Sequence, residues 1–455
     1  MDQPLIQLHC EHNLSKSITI GEAIFDESYL LELAKTSGFY KRTPRKIDIC
    51  SLLASICAEG ITGSPSCNDL AISIESNNQG CGPSRQAVHQ RMGDSLEIFV
   101  HRLLEDLIAR RLKSEHIENA DSTSESEPFA NYNRVLVQDS TVIKLPGHLF
   151  AEFSGVSNGH SSVCNARIQS TYDLITKRLV NFSIDPYSKN DLTAAPELPI
   201  ETGDLVLRDR GYLVLDEIQR HLDAGADCIY RHKTGILYLD PQTLDPIDLT
   251  MRLRQSGHLD INVLLNNKAQ TPVRLVAAPV NEETANIRRM KAKKEKSGHN
   301  PSQAVLDLMD WTIYITTIPL DRADFGKLLG LYGLRWRIEV IFKAWKSYMN
   351  FDVLHRVSRC QMFIILKARL LVVTCCTNIL YNSLEKTLLR KYQAHISILK
   401  LINFVTAIPS NMLRAIYSLS LNDSQADDFH QTILRYCCYD RRKRRNFSQI
   451  LEEIS

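Results

Sequence analysis

The sequence predicts a mixed α/β core held between two helical ends, and three observations predict it. Apolar runs of strand length cluster between residues 130 and 318. The segments before and after them carry apolar residues at three- and four-residue spacings. A polar, acidic stretch, Lys113–Glu127 (KSEHIENADSTSESE), separates the first helical end from the strands. The expected division is therefore a helical region over 1–113, a linker over 114–129, an α/β region over 130–355 and a helical region over 356–455.

Within the first region, Ser28–Lys35 and Ile47–Ala58 read as amphipathic helices. Cys67–Glu75, a Gly/Pro-containing loop and Ser84–Met92 read as helix, turn, helix, with Ser84 as N-cap. The second helix offers Arg85, Gln86, His89 and Arg91, side chains that can reach base edges or phosphates. A solvated face of a small bundle is the competing reading.

The core opens with the strand Arg134–Ile143, which contains Asp139. Ala166–Asp173 and Leu179–Asp185 follow as a hairpin, then a short helical segment near Asp191–Glu197. The apolar strand from Asp204 delivers Asp209 at its end, and Leu213–Leu222 (helix) and Asp227–Arg231 (strand) come next. Strand-like runs at Ile236–Leu239, Ile261–Leu265 and Val273–Pro279 precede the basic run Arg288–Lys296, expected as a loop. Trp311–Ile318 is the last strand, and a long helix from Arg322 to Tyr348 closes the core.

That helix carries Tyr332, Arg335, Glu339 and Lys346, the pattern Y-x2-R-x3-E-x6-K. At roughly 100° per residue, these positions fall within an arc of about 60° on one continuous helix. Asp139 and Asp209 sit at expected strand ends, where open α/β sheets collect ligands. Three carboxylates brought together repel one another unless cations lie between them. Hard oxygen donors select Mg²⁺ or Mn²⁺, and a two-ion site can cleave a phosphodiester. Asp204 is the rival second acid, but it precedes its strand.

Composition narrows the function classes. The chain has 455 residues, 44% hydrophobic and 23% charged, and a net charge of +2. It is not a polycation, so nucleic-acid binding has to come from local patches: 288–296, Arg441–Arg445, and the cations of the last core helix. Twelve cysteines without a CxxC spacing argue against a zinc ribbon or a secreted disulfide framework and for buried free thiols. The N-terminal residues lack a signal-peptide pattern. The apolar stretch Phe363–Cys376 is interrupted by Lys367 and Arg369 and is expected to be a core helix, not a membrane span.

Asp139 in QDST, Asp209 in LVLRDRGY, and Tyr332, Arg335, Glu339 and Lys346 in YGLRWRIEVIFKAWKS resemble the DDE-type insertion-sequence transposases with the Y-R-E-K signature (the insertion-sequence-four family). The resemblance runs in order along nearly the whole chain. It implies a ribonuclease H-like mixed-sheet core with a strand-rich insertion at about 234–310. Asp139, Asp209 and Glu339 would be the catalytic, metal-binding acids. Tyr332, Arg335 and Lys346 would contact phosphates near the scissile end. Arg210, Trp336, Arg337 and Lys343 are further candidates for DNA contact, although Trp336 also fits a core position.

The resemblance implies an enzyme that binds terminal inverted repeats, nicks DNA hydrolytically and joins the freed 3′-hydroxyl to target DNA. Some members cleave through a DNA hairpin; Trp311, the tryptophan nearest the insertion, reads as a core residue. The implied partners are double-stranded DNA and, on DNA, a second copy of the chain, with no membrane. The implied cofactor is Mg²⁺, with Mn²⁺ as substitute, and two ions. The implied setting is the bacterial cytoplasm, at the nucleoid. A transposase-derived DNA-binding protein without cutting activity, and another nuclease on the same core, are the competing functions.

Overall fold

A computed structural model describes residues 26–41, 47–78, 82–118, 129–155, 163–189, 199–295, 300–408, 426–439, 449–450 and 453. The expected helix near Asp191–Glu197 and the run Arg441–Arg445 lie outside the described residues.

The strands are β1 (Arg134–Lys144), β2 (Asn165–Asp173), β3 (Arg178–Pro186), β4 (Asp204–Arg208), β5 (Asp227–Arg231), β6 (Tyr238–Leu239), β7 (Leu259–Leu265), β8 (Pro272–Pro279) and β9 (Trp311–Thr316). They form one nine-stranded sheet in the order β3-β2-β1-β4-β5-β9-β8-β7-β6. β1 runs parallel to β4 and β4 to β5, while the remaining neighbours are antiparallel. A hairpin followed by two parallel strands is the ribonuclease H-like arrangement. Its central strands are covered on both faces, which explains their continuous apolar runs. Val135, Val137, Leu205 and Leu207 point into one core, and Val206 into another.

The strand-rich insertion extends this sheet. β6, β7 and β8 join the parallel strands through β9. Three helices in this region escaped the sequence reading: Leu249–Ser256, Glu282–Glu295 and Gln303–Leu308. The basic run expected as a loop is therefore helical as far as Glu295. Trp311 starts its strand and packs against the second core, as expected.

In chain order the helices are α1 (Glu27–Thr36), α2 (Ile49–Thr62), α3 (Cys67–Asn77), α4 (Arg85–Arg91) and α5 (Asp94–Glu118), then α6 (Leu215–Asp223) beside the sheet. The insertion helices are α7, α8 and α9. The closing set is α10 (Phe325–Gly333), α11 (Trp336–Tyr348), α12 (Arg359–Thr374), α13 (Asn382–Tyr392), α14 (Ile398–Ala407) and α15 (Asp427–Cys437). α5 runs five residues past 113, so the expected linker begins later than its composition suggested. Ser84 caps α4 as predicted, accepting from the Ala87 amide at 3.2 Å.

The two helical ends are one packed body, because α12 lies against α2 and α5. Lys367 Nζ pairs with Glu97 at 3.0 Å. Buried Arg369 donates to the Gly60, Gly63 and Val353 carbonyls at 2.7, 2.5 and 2.9 Å, closing the end of α2. The stretch Arg359–Tyr392 is long and apolar enough to cross a membrane, yet most of it is buried inside the protein, as a core helix would be. It passes through a seven-residue π-helical segment, Cys375–Tyr381. There the Asn378 side chain pairs with the Leu179 backbone amide and carbonyl, both at 2.9 Å. The ten described cysteines are free thiols.

Arg369→Met strands three carbonyls in the interior. Denaturant unfolding should show a loss of roughly 3 kcal/mol; a midpoint unchanged from the parent chain would remove Arg369 as the tie between the ends.

Candidate active site

The site begins with a register. Gln138 on β1 lies opposite Arg208 on β4, and Arg208 opposite Tyr230 on β5. The next residues along these parallel strands are Asp139, Asp209 and Arg231. Asp139 is not at the end of β1, as expected, but in its middle. β1 continues to Lys144 because β2 goes on pairing with it, with Asp139 opposite Ser170. β4 stops, and Asp209 turns the chain into the short 3-10 helix Arg210–Tyr212. Asp139 therefore stands where its parallel neighbour has ended, which gives it the opening a true strand end would.

The expected single helix from Arg322 to Tyr348 is two. α10 stops at Gly333 and α11 starts at Trp336. Between them the backbone bonds tighten to three-residue spacing, Arg335 to Tyr332 at 3.1 Å and Arg337 to Leu334 at 3.0 Å. Gly333, a weak helix residue, sits at the break. The single-face arithmetic fails, but Tyr332, Arg335 and Glu339 still meet the two aspartates, while Lys346 faces solvent with Asp352 as its charged neighbour. Tyr332 Oη donates to Asp209 Oδ1 at 3.4 Å. Arg335 donates from Nη1 to Asp139 Oδ2 at 3.0 Å and from Nη2 to Glu339 Oε1 at 2.5 Å. All three acids are thus joined through the signature's own side chains.

Their electrostatics follow from that closeness. Burial, aided by Glu339 and Asp209, pushes the Asp139 carboxyl up to about 6, against the pull of Arg335 and the Ser140 amide. Burial opposes the Arg335 charge, but Tyr332, Asp139 and Glu339 together hold its pKa above the ordinary value. Burial also raises the Tyr332 phenol, which stays a neutral donor. One guanidinium against three carboxylates leaves a surplus of negative charge. The donors are all hard oxygens, and the most buried of them resists ionisation without a cation. Hard oxygen donors with surplus negative charge are the kind that suit a divalent ion of the Mg²⁺ type.

The other predicted residues divide. Lys343 and Lys346 are exposed on α11, and Arg210 is exposed directly after Asp209. Trp336 is 62% exposed, not core. Arg337 corrects an expectation: it is only 5% exposed, donates to Tyr439 Oη at 3.1 Å and stacks on Tyr381, so no phosphate reaches it. On α4, Arg85, Gln86 and His89 are exposed. Arg91 is not available in the same way. It donates to the Phe39 carbonyl at 3.2 Å and lies over the Phe39 ring, so packing within the bundle occupies it. On α8, Arg288 donates to the Trp311 carbonyl at 2.8 Å and Arg289 pairs with Asp310, while Lys293 and Lys294 face solvent. The rival acid Asp204 is fully buried and gripped by Arg134 at 2.6 and 2.8 Å, a structural ion pair.

One residue was missed. Arg231 ends β5 beside Asp209, half-buried, and its charge acts on the phenols of Tyr332 and Tyr314, whose rings lie 5.0 Å apart. The rule that found Asp209, a charged residue closing an apolar strand, applied equally to DCIYR.

Residues 133–379 match the family described as transposase DDE domain, more than half of the chain, including the three acids and the four signature residues. The chain belongs to the DDE transposase family. It is 25% identical over 407 residues to the transposase of insertion sequence element IS231F from Bacillus thuringiensis subsp. israelensis, covering 83% of this chain and 82% of that protein. It is 23% identical over 325 residues to the IS1151 transposase of Clostridium perfringens, covering 66% and 68%. Among solved structures it is similar to the piggyBac transposase synaptic complex with hairpin DNA, at 10% identity and a TM-score of 0.44, over 94% of this chain and 86% of that one. Family membership carries a divalent-metal requirement.

Mg²⁺ should stabilise the full chain, by about 2.7 kcal/mol at a hundredfold excess over its Kd. Differential scanning calorimetry with and without Mg²⁺ should show the rise in the parent and none in Asp139→Asn or Glu339→Gln; equal rises in all three would place the ion elsewhere.

Proposed function

We propose that this DDE transposase binds the terminal inverted repeats of its own element, nicks the DNA at the ends by phosphodiester hydrolysis, and joins the freed 3′-hydroxyl to target DNA. The observation that carries the reading is the convergence of Asp139, Asp209 and Glu339 on Arg335 and Tyr332. Bound between the acids, two Mg²⁺ ions (or Mn²⁺ in their place) would supply an activated nucleophile and stabilise the leaving oxygen.

The remaining work belongs to side chains. Asp139, Asp209 and Glu339 hold the cations. Arg335 occupies the place of a cation between Asp139 and Glu339, and the planar fork that grips two carboxylates also grips a phosphate. Tyr332 keeps its proton and donates to an oxygen at the scissile end. Arg231 and Lys346 add cations near the strand ends and along α11. Trp336, Lys343 and Arg210 lie exposed around the same end and take the flanking backbone. The α3–α4 pair presents Arg85, Gln86 and His89 to the repeat sequence. Two copies of the chain hold the two ends together during joining, at the nucleoid.

The test is a duplex carrying the element's end, incubated with the full chain in Mg²⁺ and in EDTA. A nick at the end in Mg²⁺ alone is expected; binding without any metal-dependent nick would leave only a DNA-binding role. Glu339→Gln should lower nicking roughly a thousandfold while the Kd for the end stays near the parent value. Lys346→Ala should weaken binding evenly across sequences and flatten the slope of log Kd against log salt by about 1; an unaltered slope would take Lys346 off the backbone.

A further inference from the structure

Arg337 is the unexplained member of the signature helix. It lies between Arg335 and Glu339, yet it is buried and cannot meet DNA. Burying a charge is costly, and an apolar side chain would fill the same space without that cost. What holds the guanidinium is a set of phenols. It donates to Tyr439 Oη at 3.1 Å, its Cζ stands 5.1 Å from the Tyr381 ring centroid, and it interacts electrostatically with the Tyr172 hydroxyl. These come from three separate places: the residues just after α15, the π-helical segment and β2.

The placement of Tyr172 gives the arrangement meaning. Tyr172 lies opposite Val137 in the β1–β2 register. Val137 and Asp139, two residues apart on one strand, share a sheet face. Arg337 and Glu339, two residues apart on α11, leave the helix about 200° apart. The helix therefore straddles that face: one side reaches Asp139 through Arg335 and Glu339, and the other reaches Tyr172 through Arg337. Two contacts on opposite flanks fix the rotation of a helix, where one would leave it free to roll.

The geometry points to Arg337 as a positioning residue that sets the rotation of α11, and hence the place of the Glu339 carboxylate, through its clasp on Tyr439, Tyr381 and Tyr172. Tyr439 makes the residues just after α15 part of this clasp, so that segment bears on the carboxylate geometry although it contributes no acid. The inference rests on Glu339 as a metal-holding acid, and its test is read without DNA cleavage.

Tyr439→Phe removes one hydroxyl and leaves Arg337 its charge; Arg337→Lys keeps the charge and loses the planar fork. In the full-length protein without DNA, Mn²⁺ affinity by electron paramagnetic resonance should fall about tenfold in both variants, as for the loss of a residue that orients a metal ligand. The melting temperature of Tyr439→Phe should fall by no more than about 5 °C, the cost of one lost hydrogen bond, so the variant stays folded at assay temperature. In a parallel assay, the Kd for an end-bearing duplex should change by less than about twofold, because neither side chain meets DNA. Parent-like Mn²⁺ affinity in Tyr439→Phe overturns the proposal, as does a loss of DNA affinity with Mn²⁺ affinity intact. If Arg337→Lys does not fold, Tyr439→Phe alone decides. A parent chain that binds Mn²⁺ but never nicks DNA counts against the proposed reaction and leaves the clasp to be judged by the variants' Mn²⁺ affinities.

Discussion

The parallel pairing of β1 with β4 is the constraint on which the site depends. A slip of one residue would turn Asp139 to the opposite sheet face, where Gln138 now lies. The pairing is pinned at its start. Arg134 and Asp204 are partners in the register and also form a half-buried ion pair, with Asp204 the buried member. Five residues further along each strand stand Asp139 and Asp209. The acid that competes with Asp209 in the sequence is thus the one that fixes where Asp209 arrives. The same register carried to β5 places Arg231, so acid, acid and arginine stand abreast on three strands.

Charge balance governs the second level of organisation. Asp139 is largely buried, and its two acid neighbours make ionisation harder. Arg335 answers both Asp139 and Glu339 with one guanidinium, and Tyr332 satisfies Asp209 without adding charge. A lysine could reach one carboxylate but not bridge two in a plane. The site is short of positive charge, which is the condition under which a divalent ion binds with gain.

Much of this was legible because burial on both sheet faces leaves a plain mark: RVLVQD and LVLRD read as strands delivering an acid. The hairpin, the central helix and the amphipathic helices of the first region were legible for similar reasons of period. What escaped depended on neighbours. Asp139 lies mid-strand because β2 outlasts β4, and no property of β1 itself says so. The break between α10 and α11 is marked only by Gly333, and a lone glycine is tolerated inside many helices. Arg337 read as a DNA contact because arginine beside arginine looks like a basic face; its burial comes from tyrosines at 172, 381 and 439. Arg91 and the arginines of α8 were misjudged in the same way, as cations whose partners come from distant segments. The insertion strands were seen, but their union with the core sheet rests on β9, whose pairing on both sides a linear reading cannot reveal.

The clasp of Arg369 on the end of α2 closes a loop of 309 residues. Contacts between segments so distant form late, since the intervening chain must first be brought to order. During synthesis the opening helices emerge long before the helix that covers them. Until α12 arrives, the apolar side of α2 and α5 has no permanent cover. A polypeptide that stops short of residue 359 would display that side to solvent and be an easy target for proteases, so shortened products of this gene should be short-lived.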